Sequence, residues 1–208
     1  MTIRQIPFLT SSLLMTLVGL YFLVPDQAML YFSAGKVANG ETWRIITGHF
    51  MHADPDHLLW NGLGLVVLGT LIEQRSRTLL CMALATGIAS VSLLLMTPLA
   101  QLEFYCGLSG VLNTLLVVAI WLEWRATRSW VVIIIACGSI TKVVVEVILG
   151  TSLFTHIDWP PFAWSHAAGL AGGLLLIIGV FSSWLHWPYG PVSGALIDKP
   201  VGVNEYST

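Results

Sequence analysis

Charged side chains are scarce in this chain: Asp, Glu, Lys and Arg make up 10% of its 208 residues, where a soluble domain carries roughly 25%. With 56% hydrophobic residues and a mean hydropathy of +0.81, such a chain has a lipid bilayer as its solvent. The few cations form no stripe and the formal net charge is -2, which excludes a phosphate-tracking surface and with it nucleic acid as a partner. Cysteine is equally sparse. Cys81, Cys106 and Cys137 form an odd set without CxxC spacing, so neither a disulfide framework nor a zinc site is indicated, and no cofactor is expected. Internal repeats are lacking, and a single charged pair falls within an apolar run, which argues against a transporter with a polar path through its middle.

What the chain has is six apolar runs, at about residues 8–24, 57–72, 78–97, 107–122, 129–149 and 164–185. Crossing the hydrocarbon takes about 20 residues at 1.5 Å each, so several are just long enough and the fourth is short. Arg4 ahead of the first run resembles a signal-peptide start, but no small-x-small cleavage site precedes Pro25 and Asp26, and a retained helix is expected. The fold class expected is all-α: a polytopic membrane bundle of six helices over residues 1–185, with a long outer loop between the first two. Residues 186–208, polar and interrupted by Pro188, Pro191 and Pro200, are expected to form a loosely ordered cytoplasmic tail.

A cytoplasmic N-terminus puts Arg4, Arg75, Arg77, Arg125, Arg128 and Lys199 inside and only Lys36 and Arg44 outside, in keeping with the positive-inside bias. The outer connection at 25–56 is rich in Met29, Tyr31, Phe32, Trp43, Phe50 and Met51, which suits the membrane interface.

Within this frame a hydroxyl and an imidazole stand out. Ser109, in Gly107-Leu-Ser109-Gly110, precedes Glu123 at the inner boundary by 14 positions, about 21 Å of helix. In a core about 30 Å thick it sits several Å below the outer surface. Residues 98–108 must dip inward to meet it, as irregular backbone does only where it packs on protein or lines a wet cavity. Gly107 and Gly110 suit a tight entry, and a helix start beside Ser109 offers N–H groups to an oxyanion. Taken alone, the four residues equally fit close helix packing. His166 shifts the balance. Ser165, Gly169 and Gly173 recur every four positions, a face on which a second helix can approach and bring a serine to the imidazole. His57 and Asn61, also four apart, share a face that must point into the bundle. They either supplement the oxyanion donors or only join helices by hydrogen bonds.

Three further readings follow from the residues. His49, His52 and His57 with Asp54 and Asp56 resemble a metal cluster, but Pro55 breaks it and no metal is expected. Cys106 as a nucleophile lacks a neighbour to activate it. Lys142 and Glu146, four apart on the fifth run at the depth of Ser109, either neutralise each other or bind the polar group of an incoming amine or the substrate backbone.

Trp43-Arg44, His49-Phe-Met-His52, His57-Leu-Leu-Trp-Asn61, Gly69 with Glu73, Gly107-Leu-Ser109-Gly110 and His166-Ala-Ala-Gly169 resemble, in order and placement, the landmarks of the rhomboid family of intramembrane serine proteases. The likeness spans about residues 40 to 175. It implies Ser109 as nucleophile and His166 as general base with no acidic third member. It also implies an oxyanion hole from His57, Asn61 and the Ser109 N–H, and structural roles for Trp43, Arg44, His52 and the glycines Gly107, Gly110, Gly169 and Gly173. Ser165 departs from the family, in which Ala commonly precedes the histidine. Compact length, the Phe104-Tyr105-Cys106-Gly107-Leu108-Ser109-Gly110 wording and the Lys142-Val-Val-Val-Glu146 segment make the chain similar to the rhombosortase branch. That likeness implies membrane-anchored substrates with a C-terminal Gly-Gly motif, an apolar helix and a basic end, cut at the periplasmic face of a bacterial inner membrane. It also implies transfer of the new C-terminus to an amine-bearing lipid-derived group. A rhomboid that simply hydrolyses transmembrane helices and a non-catalytic helix binder are the alternatives.

Overall fold

The computed structural model describes residues 6–151, 153 and 162–185; the tail at 186–208 lies outside them. The first apolar run forms α1 (Phe8–Leu23). Pro7 ahead of it provides no side-chain cap, and the opening N–H groups are satisfied from far away in sequence. The Glu73 carboxylate accepts from Leu9 N at 2.9 Å, Thr10 N at 2.8 Å and Thr10 Oγ1 at 2.8 Å. An anion at a helix N-terminus is favoured by the aligned peptide dipoles as well as by the hydrogen bonds.

Residues 24–54 then fold into short pieces: strand β1 (Phe32–Ser33) and helices α2 (Ala34–Ala38) and α3 (Arg44–Thr47), with two 3₁₀ turns. Their tie is the buried Arg44, whose guanidinium donates to Ala28 O and Tyr31 O at 2.9 Å each and pairs with Glu41 at 2.5 Å. Part of the aromatic and Met content expected at the interface is buried instead, Phe32 and Met51 among them, while Met29 and Trp43 stay exposed.

Five longer helices follow. α4 (Pro55–Glu73) starts where the Asp54 carboxylate accepts from His57 N at 2.7 Å, with Pro55 in the first turn. α5 (Arg77–Leu95) is capped by Ser76. β2 (Phe104–Tyr105) pairs antiparallel with β1, Phe32 opposite Tyr105, a small departure from an all-helical expectation. α6 (Ser109–Thr127) is longer than its apolar run, 19 residues. Its polar last turn is still helical, with Glu123 paired to Arg75 at 3.2 Å, and it stops at Arg128 in the left-handed conformation. α7 (Trp130–Leu149) and α8 (Ala163–Leu185) complete the bundle.

α6 is its centre, packed most extensively on α8 and then on α5 and α4; α1 lies against α4, and α7 packs chiefly on α8 and α6. Leu65, Ile72, Leu80, Leu115 and Val118 are fully buried between them. The outward faces are apolar too: Leu59, Val67, Leu93, Ile134, Ile148, Leu175 and Ile178 are exposed. By length and composition α5, α7 and residues Ala163–Val180 of α8 suffice to cross a membrane, and α1 is a shorter apolar helix.

Candidate active site

The N-terminal ends of α4, α6 and α8 and the C-terminal end of α7 bring the site together. Glycine lets α6 and α8 approach. A Cβ on Gly169 would overlap the Gly110 carbonyl oxygen, and one on Gly173 would lie 2.7 Å from Val117 Cβ. Thr114 Oγ1 donates to Gly169 O at 2.7 Å across the same seam. Ser109 opens α6 and His166 lies in the first turn of α8, and the contact puts Ser109 Oγ 3.0 Å from His166 Nε2.

On the far side of the imidazole, Nδ1 is 2.9 Å from Glu146 Oε2. An ionised carboxylate only accepts, so Nδ1 carries the proton and Nε2 is left to accept from the Ser109 hydroxyl. Glu146 is fully buried in the last turn of α7. Its other oxygen takes Lys142 Nζ at 2.7 Å and Leu153 N at 3.1 Å. The resemblance implied a dyad with no acidic third member; in the structure the Glu146 carboxylate, supplied from α7, lies against Nδ1 of the base candidate.

Two residues ahead of Ser109, the backbone at Gly107 has φ +118, and a Cβ there would lie 2.5 Å from His57 Nε2 and 3.6 Å from Asn61 Nδ2. Only glycine fits that turn and that contact. Its N–H donates to Gly48 O at 3.0 Å, and its carbonyl accepts from the Tyr105 hydroxyl at 3.1 Å. His57 and Asn61 are buried, and among the described residues Asn61 Nδ2 and His57 Nδ1 have no hydrogen-bond partner. A buried amide donor left open beside a nucleophile suits charge that appears only during reaction. As the first residue of α6, Ser109 also has an N–H that the helix itself leaves without a carbonyl.

The Rhomboid domain family matches residues 39–183. The chain belongs to that family. It is also similar to the protein named "Putative rhomboid protease YdcA" of Bacillus subtilis (strain 168), 26% identical over 185 residues that cover 84% of this chain and 88% of that one. Family and apolar helices together make the chain a multi-pass membrane protein.

The remaining residues singled out from the sequence of this rhomboid lie around the site. His52 is buried edge-to-face against His57, ring centroids 5.0 Å apart. Burial, aided by His57, pushes its pKa down to about 3, and burial pushes that of His49 down to about 4. Both are neutral packing groups, and among the described residues no cluster is arranged to hold a metal. Burial also pushes the Cys106 thiol up to about 12, which makes it a poor nucleophile. Trp43 is 52% exposed beside the buried Arg44. Ser165 Oγ donates to Phe162 O at 2.7 Å, and a Cβ on Gly110 would meet the Ser165 backbone and Cβ, so this hydroxyl serves the turn into α8. Sequence reasoning missed the link of His49 Nε2 to Ser92 Oγ at 3.0 Å and the Tyr105 bond to Gly107. An aromatic and a histidine near the motif were the available signals.

Proposed function

We propose that this chain is an intramembrane serine endopeptidase in which Ser109 is the nucleophile and His166 the general base. The carrying observation is the 3.0 Å approach of Ser109 Oγ to His166 Nε2 at a glycine-lined helix contact, with His57 and the Asn61 amide packed against the Gly107 turn that leads into Ser109. Nε2 takes the hydroxyl proton as Oγ bonds to the scissile carbonyl carbon, and the carbonyl π pair moves onto oxygen. Asn61 Nδ2, His57 and the Ser109 N–H stabilise that oxyanion. It collapses, the C–N bond breaks, and Nε2 returns the proton to the leaving amine. Water, or an amine, repeats the sequence to release the acyl group and restore the Ser109 hydroxyl.

In this reading the six long helices span the membrane, both termini are cytoplasmic, and Ser109 opens to the periplasmic side of a bacterial inner membrane. A substrate helix hides its peptide bonds, so a scissile segment containing glycine, which unwinds cheaply, is favoured. The finer form is a rhombosortase-like enzyme cutting C-terminal Gly-Gly tails and passing the acyl group to an amine-bearing lipid-derived acceptor. Its support is the sequence resemblance together with Lys142, whose side chain is 34% exposed and lies one turn from the residue holding His166.

A fluorophosphonate probe applied to native membranes tests the nucleophile without knowledge of the substrate. Labelling is expected in the wild type and is expected to fall by about 10³-fold or more in Ser109→Ala and His166→Ala; a wild type that never labels favours the helix-binding alternative. Mass spectrometry of a cut Gly-Gly substrate distinguishes transfer, seen as an added amine mass, from hydrolysis, seen as a free carboxylate.

A further inference from the structure

We infer that Glu146 is the positioning residue of a Ser109–His166–Glu146 relay, with Lys142 as the counter-charge that allows a carboxylate to be buried there. The inference rests on the protease reading above and concerns how its base is aimed.

Geometry carries it. Three side chains from three helices are linked in series: Oγ to Nε2 at 3.0 Å, then Nδ1 to Oε2 at 2.9 Å. Among the described residues His166 is the partner of Oε2, since Lys142 and Leu153 both bind Oε1. A surface ion pair would need neither the burial of Glu146, whose side chain is 1% exposed, nor a second partner 20 positions away. Among the described residues, the charged or titratable groups facing the carboxylate are Lys142 on its own helix and His166 from α8. α6, the other helix packed on α7, carries Glu123, Arg125 and Arg128 at its far end, with Glu123 at 14 positions, about 21 Å, from Ser109.

The chemical consequence is definite. When Nε2 takes the serine proton the ring becomes an imidazolium, and its Nδ1–H already points at an anion. Glu146 holds the tautomer and rotamer before the transfer and stabilises the cation after it, without itself being protonated. The lysine offsets the cost of burying the carboxylate.

The test measures fluorophosphonate labelling rates on full-length protein in membranes. Glu146→Gln is expected to lower the limiting labelling rate by about 10²- to 10⁴-fold while the half-saturating probe concentration stays within about twofold. Removing Glu146 alone leaves Lys142 unpaired, so the deciding variant is Lys142→Met with Glu146→Gln, which leaves no orphan charge. If the pair only neutralises itself, the double variant labels at the wild-type rate, and that result overturns the assignment. Continued slow labelling at an unchanged melting temperature supports it. Nitrogen-15 NMR of His166 in the wild type adds a reading independent of any variant: a hydrogen-bonded Nδ1–H is expected, and a ring protonated only at Nε2 overturns the relay. A labelling wild type with an equally fast double variant defeats the role of Glu146 alone, whereas a wild type that never labels defeats the protease reading.

Discussion

Gly107 and Asn61 make separable claims about the site. Gly107 combines a left-handed φ with a missing Cβ whose space His57 occupies. Gly107→Ala is expected to cost about 1–3 kcal/mol in thermal unfolding and to slow labelling, because the strain moves both His57 and the entry to α6. Asn61→Ala touches only a donor. It is expected to lower the limiting cleavage rate by about 10²- to 10³-fold with the half-saturating concentration held; a loss confined to substrate affinity would refute an oxyanion role. Residues of this kind were legible in the sequence, because a polar side chain in an apolar run has to be explained and i, i+4 spacing puts His57 and Asn61 together. The job of Glu146 was not legible. Lys142 four residues earlier made the charge look already answered, and which helix faces the other carboxylate oxygen depends on packing between segments far apart in sequence.

Among the elements, two contacts invite opposite outcomes. Gly169 is where α8 meets the α6 backbone, and Gly169→Ala is expected to push the helices apart, destabilise the fold by about 1–3 kcal/mol and separate Ser109 from His166. Gly138 has open space where its Cβ would be, so Gly138→Ala serves as the neutral control in the same melting and labelling assays. At the other end of α4, Glu73→Ala is expected to cost about 1–3 kcal/mol by orphaning the first turn of α1 while leaving labelling nearly intact, since Glu73 lies a full helix from His57. The helices themselves were readable from runs of apolar residues bounded by charge and turn residues. The extension of α6 past Glu123 was not, because helix and hydrocarbon need not end together. Nor were β1, β2, α2 and α3, since pieces of two to five residues leave no periodicity to read.

For the whole molecule the buried histidines set an acid limit. His49 and His52 are neutral in the fold, with pKa values near 4 and 3, but take up protons near 6.5 once unfolded. Between roughly 6.5 and those lower values the unfolded state binds more protons, so stability falls as pH falls. Each group contributes a slope of up to about 1.4 kcal/mol per pH unit. Thermal unfolding in detergent from pH 7 to 4 is expected to show this slope, and His52→Gln to reduce it; a flat profile would contradict neutral burial.

The carboxylate at His166 belongs to α7, a helix anchored chiefly by two neighbours and otherwise turned outward with Ile134, Ile148 and Trp130 exposed. The aim of the imidazole is thus borrowed from the bundle's periphery rather than its middle. A bilayer too thin or too thick for α7 tilts that one helix first, and turnover across lipids of graded acyl length is expected to change before the melting temperature does. Lipid composition becomes, through a single peripheral rod, a setting on the speed of the chemistry.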